Sequence, residues 1–400
     1  MKQVNLLTDS PRRLFFHYLG PTIGSSMVTS IYILADTIMV GQGVGDAGLA
    51  ALTIFMPIVA SFFALGLLLG VGGGVLMSVA KGSGNESLAH KYFSTAMISA
   101  AVVSVCFAVF GAIFFDPMMY ALGADTTNIE LVRGYGLCYT VSAPLFIFSS
   151  SLQSFIRNDK SPRHAMIAVL TGSGLNILLD YLFIFVFKMG MFGASFATSI
   201  GTSITVCILV IHFFTKKNTM RFSFRFFSIK ALWEIAKCGF SSFLIECANA
   251  VLVFVFNHTL LKYIGSVGVT VYSIMSNVAV VCMSLFNGVT LAAQPIIATN
   301  HGADNHKRVL QVQHIGTITS SVIAVIIFCV GFFFPDLLIY SYVKGPTPEI
   351  LELARYALRI YFFAYLFMNF NIFFSGYFQS TLRPVVAITI QILRSLLLSS

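Results

Sequence analysis

Eleven apolar runs divide the sequence, at roughly 14–40, 49–80, 91–115, 134–156, 165–187, 191–214, 232–261, 269–298, 315–334, 353–378 and 385–398. A helix needs about 20 apolar residues to cross the hydrocarbon of a bilayer, so the runs read as membrane spans, and those near 30 residues imply tilt or a kink. Barrel strands would be shorter and would alternate, which makes the class an all-α polytopic membrane protein. Composition excludes the soluble alternative. With 57% hydrophobic residues, 10% charged residues and a mean hydropathy of +0.87, a water-soluble domain of this length could not cover its own apolar surface.

The basic residues set the orientation. With the N-terminus inside, 17 of the 24 Lys and Arg fall in inside segments and six outside, Arg394 lying within the last run. That bias follows the positive-inside rule and predicts a multi-pass protein of the cell (inner, cytoplasmic) membrane with a cytoplasmic N-terminus. It also accounts for the net charge of +9 without a nucleic-acid partner. Arg12 and Arg13 precede an apolar run that continues through Pro21 to Val40 with no small-residue cleavage site, so the run is an uncleaved first span.

The seven cysteines form no CxxC or Cys/His ligand spacing and read as small buried hydrophobes, with no disulfide and no structural metal expected. Gly70-Val71-Gly72-Gly73-Gly74 lies within a span and no GxxxxGK[ST] occurs, so ATP-driven pumping is unsupported. Gly66, Gly70 and Gly74 recur every four residues, the pattern of close helix packing.

The chain is a tandem duplication. At an offset of 220, Gly45-Asp46-Ala47-Gly48-Leu49 answers Gly265-Ser266-Val267-Gly268-Val269, Gly82-Ser83-Gly84-Asn85 answers Gly302-Ala303-Asp304-Asn305, and Phe115-Asp116 answers Pro335-Asp336. At 226, Phe148-Ser149 with Gln153-Ser154 answers Phe374-Ser375 with Gln379-Ser380. Two parallel six-span repeats follow, with substrate expected between them near the midplane. The expected division is an N-terminal lobe at 1–214, a cytoplasmic linker at 215–230 and a C-terminal lobe at 231–400. Span six has no counterpart before the sequence stops, so the second lobe reads as incomplete, with the twelfth span absent.

Three of the fifteen carboxylates lie deep in apolar runs: Asp36, Asp180 and Glu246. A charge at the bilayer centre costs about 2.5–3.5 kcal/mol on insertion scales, so an acid there usually serves a pathway for ions, protons or substrate. Asn176 and Asp180 are four apart and share a helix face. Asp36 and Asp180 both fall in the outward half of outward-running spans, so one shared pocket is geometrically open to them. Such a coupled pair can hold and release a proton near neutral pH. The competing reading of Asp36 is a helix cap near Gly41.

Ala35-Asp36-Thr37-Ile38-Met39-Val40-Gly41, with Leu49-Ala50-Ala51-Leu52, resembles the first-span signature of the multidrug and toxic compound extrusion (MATE) family. Gln294-Pro295-Ile296-Ile297 with Asn300-His301-Gly302-Ala303 resembles its eighth-span signature, especially in the bacterial MepA-like branch. Asn176 and Asp180 are similar to the family's proton-site pair. The resemblance implies a V-shaped, twelve-span, monomeric antiporter that needs no cofactor and no resident metal. It would expel cationic or amphipathic drugs in exchange for H+ or Na+.

Glu246, with Asn249 one turn on, is a candidate counter-charge for a cationic drug, or else a structural acid bonded to a neighbouring helix. Met275 and Met283 are adaptable candidates for the drug cleft, Gln379 is a polar one, and Tyr139, Asn257 and His258 are ligand candidates or else interhelical bonds. A sodium site in the second lobe is disfavoured, because Tyr377 and Gln379 have no acid beside them. Pro21 is a candidate hinge or a static kink. Two other functions compete. A lipid-linked oligosaccharide flippase should carry central cationic residues, which spans one to ten lack. A membrane-embedded hydrolase should gather a nucleophile and base, whereas His17, His212 and His258 are scattered near span ends.

Overall fold

The computed structural model describes residues 4–263, 266–342 and 347–397, with side chains described outside 249–258, 260–263, 266, 269–270, 341–342 and 394–397. The chain runs through α1 (Pro11–Gly43), α2 (Asp46–Gly82), α3 (Glu86–Ile113), α4 (Phe115–Ala121), α5 (Ile129–Val141), α6 (Ala143–Asn158) and α7 (Pro162–Asp180). It continues through α8 (Gly190–Ile211), α9 (Ile229–Tyr263), α10 (Ser266–Gly302), α11 (His306–Phe333), α12 (Pro335–Tyr342), α13 (Pro348–Ser380) and α14 (Pro384–Leu397). No strand occurs among the described residues. Eight of the described helices are long and apolar enough to cross a membrane, and α5 with α6 make a ninth span bent by 52°. The remaining two apolar runs fall on α9 and α14.

Local chemistry explains the boundaries. Asn85 and Asn305, 220 positions apart, cap α3 and α11 by accepting from the backbone N–H of Leu88 at 3.0 Å and Arg308 at 3.3 Å. The bend before α6 falls at Pro144, which has no N–H to give and crowds the residue before it. The fourth expected span is therefore two helices. Exposed Val102, Val109 and Ile113 on α3, and Ile318, Val322 and Ile326 on α11, give these helices the apolar outer surface of a membrane protein.

The helices alternate between a basal face, which holds Pro11, Gly82, Asn158 and Pro162, and a distal face, which holds Gly43, Asp46 and Gly190. Phe55, Phe62, Phe93 and Phe155 centre the core of the first repeat, and Phe286, Phe362 and Tyr365 that of the second. The stripe Gly66, Gly70 and Gly74 packs on α6: a Cβ at Gly70 would stand 2.6 Å from the Ser151 Cα, and Gly66 and Gly74 face Ser150 and Asn158. A third cluster joins the repeats, with Leu14, Phe15 and Tyr18 of α1 against Val289, Ile296 and Val312. At this seam the Thr22 hydroxyl donates to the Gly288 carbonyl at 2.7 Å, and a Cβ at Gly288 would lie 2.8 Å from the Ile23 Cα. Gly72 and Gly239 make the matching approach of α2 to α9. These close approaches all fall in the basal halves of their helices.

The duplication is visible in side chains. Arg133 holds Asp116 through Nη2 at 2.5 Å and Nε at 3.2 Å, and Arg355 holds Asp336 through Nε at 2.5 Å and Nη2 at 2.7 Å, at matching places in the two repeats. All seven cysteines are free.

Candidate functional site

The first repeat gathers its polar groups where α1, α5, α7 and α8 meet. Two glycines bring α7 and α8 into backbone contact: a Cβ at Gly172 would stand 2.6 Å from the Gly201 carbonyl oxygen, and one at Gly201 would stand 2.7 Å from that of Gly172. One turn beyond this crossing, the Asn176 amide donates to the Thr198 hydroxyl at 3.2 Å. Thr198 in turn donates to the Ala194 carbonyl at 3.0 Å. Asp180 follows one further turn along, at the end of α7 and wholly buried.

At Asp180 the α-helix gives way to a π-helical segment, Tyr181–Val186. Such segments redirect side chains by widening the helix and often mark functional sites. The distal end of α1 presses on this segment, for a Cβ at Gly43 would overlap the Ile184 side chain. That contact places Asp36, buried on α1, within electrostatic reach of Asp180. Tyr32 and Tyr135 lie within reach of both carboxylates, and Tyr139 within reach of Asp36.

Four acceptor oxygens in this cluster lack a hydrogen-bond donor: Oδ1 and Oδ2 of Asp180, Oδ1 of Asp36 and Oδ1 of Asn176. Asn176 stands beside Asp180, but neither Asp180 oxygen meets hydrogen-bonding geometry with it. A buried carboxylate without a donor or counter-charge is several kcal/mol out of place as an anion. The arrangement is suited to accept a cation, whether a proton or a metal ion coordinated by oxygens. Among the described residues no three His, Cys, Asp or Glu side chains gather as a metal site.

The structure thus brings together Asp36, Asn176 and Asp180 and adds Tyr139, whose ring stacks on Phe146 at 4.1 Å. Tyr139 lies in the first repeat's cluster, near Asp36 and Tyr32. Glu246 stands half-buried at the middle of α9 and is not among the charges acting on Asp36 or Asp180. Met275 and Met283 are half-buried against the second repeat's core. The Gln379 amide braces α13 to α9, donating to the Cys238 carbonyl at 2.9 Å and the Ser242 hydroxyl at 3.0 Å, which leaves it little freedom toward a ligand. Asn249, Asn257 and His258 lie outside the described side chains. Pro21 is buried in α1, which runs through it as one helix.

Sequence reasoning missed Tyr32, Tyr135 and Thr198. Tyr32 precedes Asp36 by four and Tyr135 precedes Tyr139 by four, so helical spacing carried a signal for both. Thr198 sits on another span, and nothing local marks it.

The MatE family model matches the chain twice, over residues 21–182 and 238–399. The chain belongs to the MatE family. It is similar to the multidrug export protein MepA of Staphylococcus haemolyticus, at 25% identity over 92% of this chain and 81% of that protein. MepA of Staphylococcus aureus matches at 23% over the same shares. Among solved structures, an outward-facing multidrug resistance MATE transporter superposes with a TM-score of 0.93 at 23% identity, covering 99% of this chain and 88% of that one. A Pyrococcus furiosus transporter, described as having a binding pocket of reversed polarity and a different function, reaches 0.91 at 23% identity with the same coverage. As a MatE member, this chain is a multi-pass, all-α membrane transporter and not an enzyme.

Proposed function

We propose that this chain is a secondary active multidrug exporter that expels cationic or amphipathic organic compounds, with Asp36 and Asp180 binding the coupling ion. The observation that carries this reading is the group of donor-less oxygens on Asp36, Asn176 and Asp180, buried where α1 meets α7. One proton moving down a 100 mV potential releases about 2.3 kcal/mol, and a tenfold drug gradient requires about 1.4 kcal/mol, so one titrating site is enough. A proton is favoured over sodium, which would ask for several well-placed oxygen ligands; exchange for Na+ is the second reading.

The remaining assignments follow. The basal face, rich in Lys and Arg, is cytoplasmic; the protein works as a monomer in the cell membrane, with lobes at 1–214 and 231–400 joined by 215–230. Because the close seams between repeats are basal, this conformation is outward-facing, with drug entering between the lobes near the midplane. Glu246 is the counter-charge for a cationic drug, Asn249, Met275 and Met283 are further candidates for the drug site, and Pro21 is the hinge that couples the acid site to helix geometry. The reversed-polarity relative is described as differing in the charge of its binding pocket; here Asp36, Asp180 and Glu246 are the acids deep in the apolar runs.

The experiment is efflux of a fluorescent organic cation from vesicles with pH and sodium gradients imposed separately. A response to the pH gradient alone supports proton coupling, and a response to neither overturns the exporter reading.

A further inference from the structure

A second polar site lies at the opposite end of α7, about 27 Å from Asp180 at 1.5 Å per residue. There the first turns of α1, the α6–α7 loop and the segment after α8 enclose a cavity of about 180 Å³, some six times the ~30 Å³ a water occupies in the liquid. Its wall carries Lys160, Arg163 and Lys217 together with His17 and His212, and no acidic side chain lines it. Arg13, Arg163 and Lys217 all act on the His17 ring.

Asp159, next to Lys160 in the chain, is held by other donors. Asp159, fully buried, accepts from Lys81 Nζ at 2.5 Å, from His212 Nε2 at 2.9 Å, from the Thr219 N–H at 3.0 Å and from the Thr219 hydroxyl. Lys160, Arg163 and Lys217 line the cavity wall beside it. Ser161, at the N-cap position of α7, is only 6% exposed and lines the cavity, yet its Oγ has no hydrogen-bond partner. A buried hydroxyl without a partner, at the positive end of a 19-residue helix and ringed by cations, is a donor waiting for an acceptor.

We infer that this cavity is a binding site for a phosphate group, held by Ser161 Oγ, the first turn of α7 and the Lys160, Arg163 and Lys217 cations. Such a group can come from an anionic phospholipid headgroup or from free phosphate. The surroundings fit the lipid: Phe16, Ile167 and Phe214 are exposed apolar residues one turn or less from the lining residues, where acyl chains would lie. Basic pockets between helices at a membrane face are suited to anionic headgroups.

The test uses the purified full chain. One arm reconstitutes it in phosphatidylcholine nanodiscs with and without phosphatidylglycerol and measures retained phosphatidylglycerol by mass spectrometry. The other titrates inorganic phosphate in detergent by calorimetry. A triple variant, Lys160→Gln with Arg163→Gln and Lys217→Gln, is compared with the wild type in both. Binding in the first arm that weakens about fivefold per removed charge assigns a headgroup. The same loss in the second arm alone assigns a soluble phosphate, and loss in both shows that the cavity reads the phosphate itself. Should the triple variant fail to fold, Lys217→Gln alone, on an exposed linker side chain, carries the comparison at one fivefold step. Equal binding by variant and wild type, or no binding of either probe, overturns the assignment.

Discussion

Gly82 and Gly302, 220 positions apart in equivalent places of the two repeats, lie against each other's helices at the basal face. A Cβ on Gly82 would overlap the Thr299 carbonyl oxygen, and one on Gly302 would overlap that of Val79; Val79 and Thr299 are themselves 220 apart. The crossing of α2 and α10 is therefore a two-fold contact made backbone to backbone, and only glycine leaves room for it.

Because the obstructing atoms are main chain and cannot rotate away, Gly82→Ala and Gly302→Ala should each cost about 2 kcal/mol. They should also part the repeats at this face. Cys238, buried on α9 beside the basal seam, reports the opening. Faster labelling of Cys238 by a thiol reagent, with a lowered melting temperature, is expected. Wild-type values for both would show that the crossing bears no strain.

Asp159 ties α2 to the end of α8 through Lys81 and His212. Burial pushes its carboxyl up, but the His212 hydrogen bond and the Lys81 charge outweigh burial and hold it below the usual carboxylate range. Its stabilisation is therefore fully present above the unfolded value near pH 4 and is lost as pH falls through the lower folded value. Asp159→Asn should cost about 3 kcal/mol at neutral pH, since it strands a cation beside a buried site. It should also flatten the acid limb of stability against pH. An unchanged acid limb would remove Asp159 from that role.

The repeat-matched pair Arg133 and Asp116 makes the opposite case. Both side chains are about 40% exposed, at 39% and 41%, so solvent screens the attraction. Arg133→Gln should leave the melting temperature at the wild-type value. A clear drop in melting temperature would mean that this repeated bridge locks α4 to α5.

Much of this was legible in the sequence because membrane spans and buried acids are local signals. The apolar runs located the helices, the 220 offset exposed the repeat, and the four-residue spacing put Asn176 and Asp180 on one face. The stripe Gly66, Gly70 and Gly74 announced a close packing but not its partner, α6. What stayed hidden depends on pairs of distant residues or on subtle backbone choices. Nothing in the runs distinguishes the break at Pro144 from Pro21, through which α1 runs as one helix. The π-helical turn after Asp180, packed against Gly43, leaves no mark in the local sequence. Gln379 and its repeat partner Gln153 align in sequence, yet Gln153 bonds within its own helix to Ser149 while Gln379 reaches across to α9.

Tyr139 and Tyr135 wall the carboxylate cluster with rings centred 5.6 Å apart. Tyr135→Phe removes a hydroxyl and keeps the ring, so it should alter the pH at which transport is half-maximal and leave maximal efflux within about twofold, the mark of a group that tunes a proton site. A loss of maximal efflux with an unmoved pH profile would make it a packing residue.

The most direct test of the coupling claim is proton-driven efflux by Asp180→Asn in proteoliposomes. The amide keeps the size and buried position of the side chain but cannot release a proton. Efflux of a cationic dye under an imposed pH gradient should fall to the level of empty liposomes, while dye binding at equilibrium stays within a few-fold of wild type. Asp36→Asn should do the same, and the double variant should be no worse, because both residues serve one coupled site. Wild-type efflux by Asp180→Asn under a pH gradient would contradict the account and move the coupling site elsewhere, with Glu246 the next acid to test.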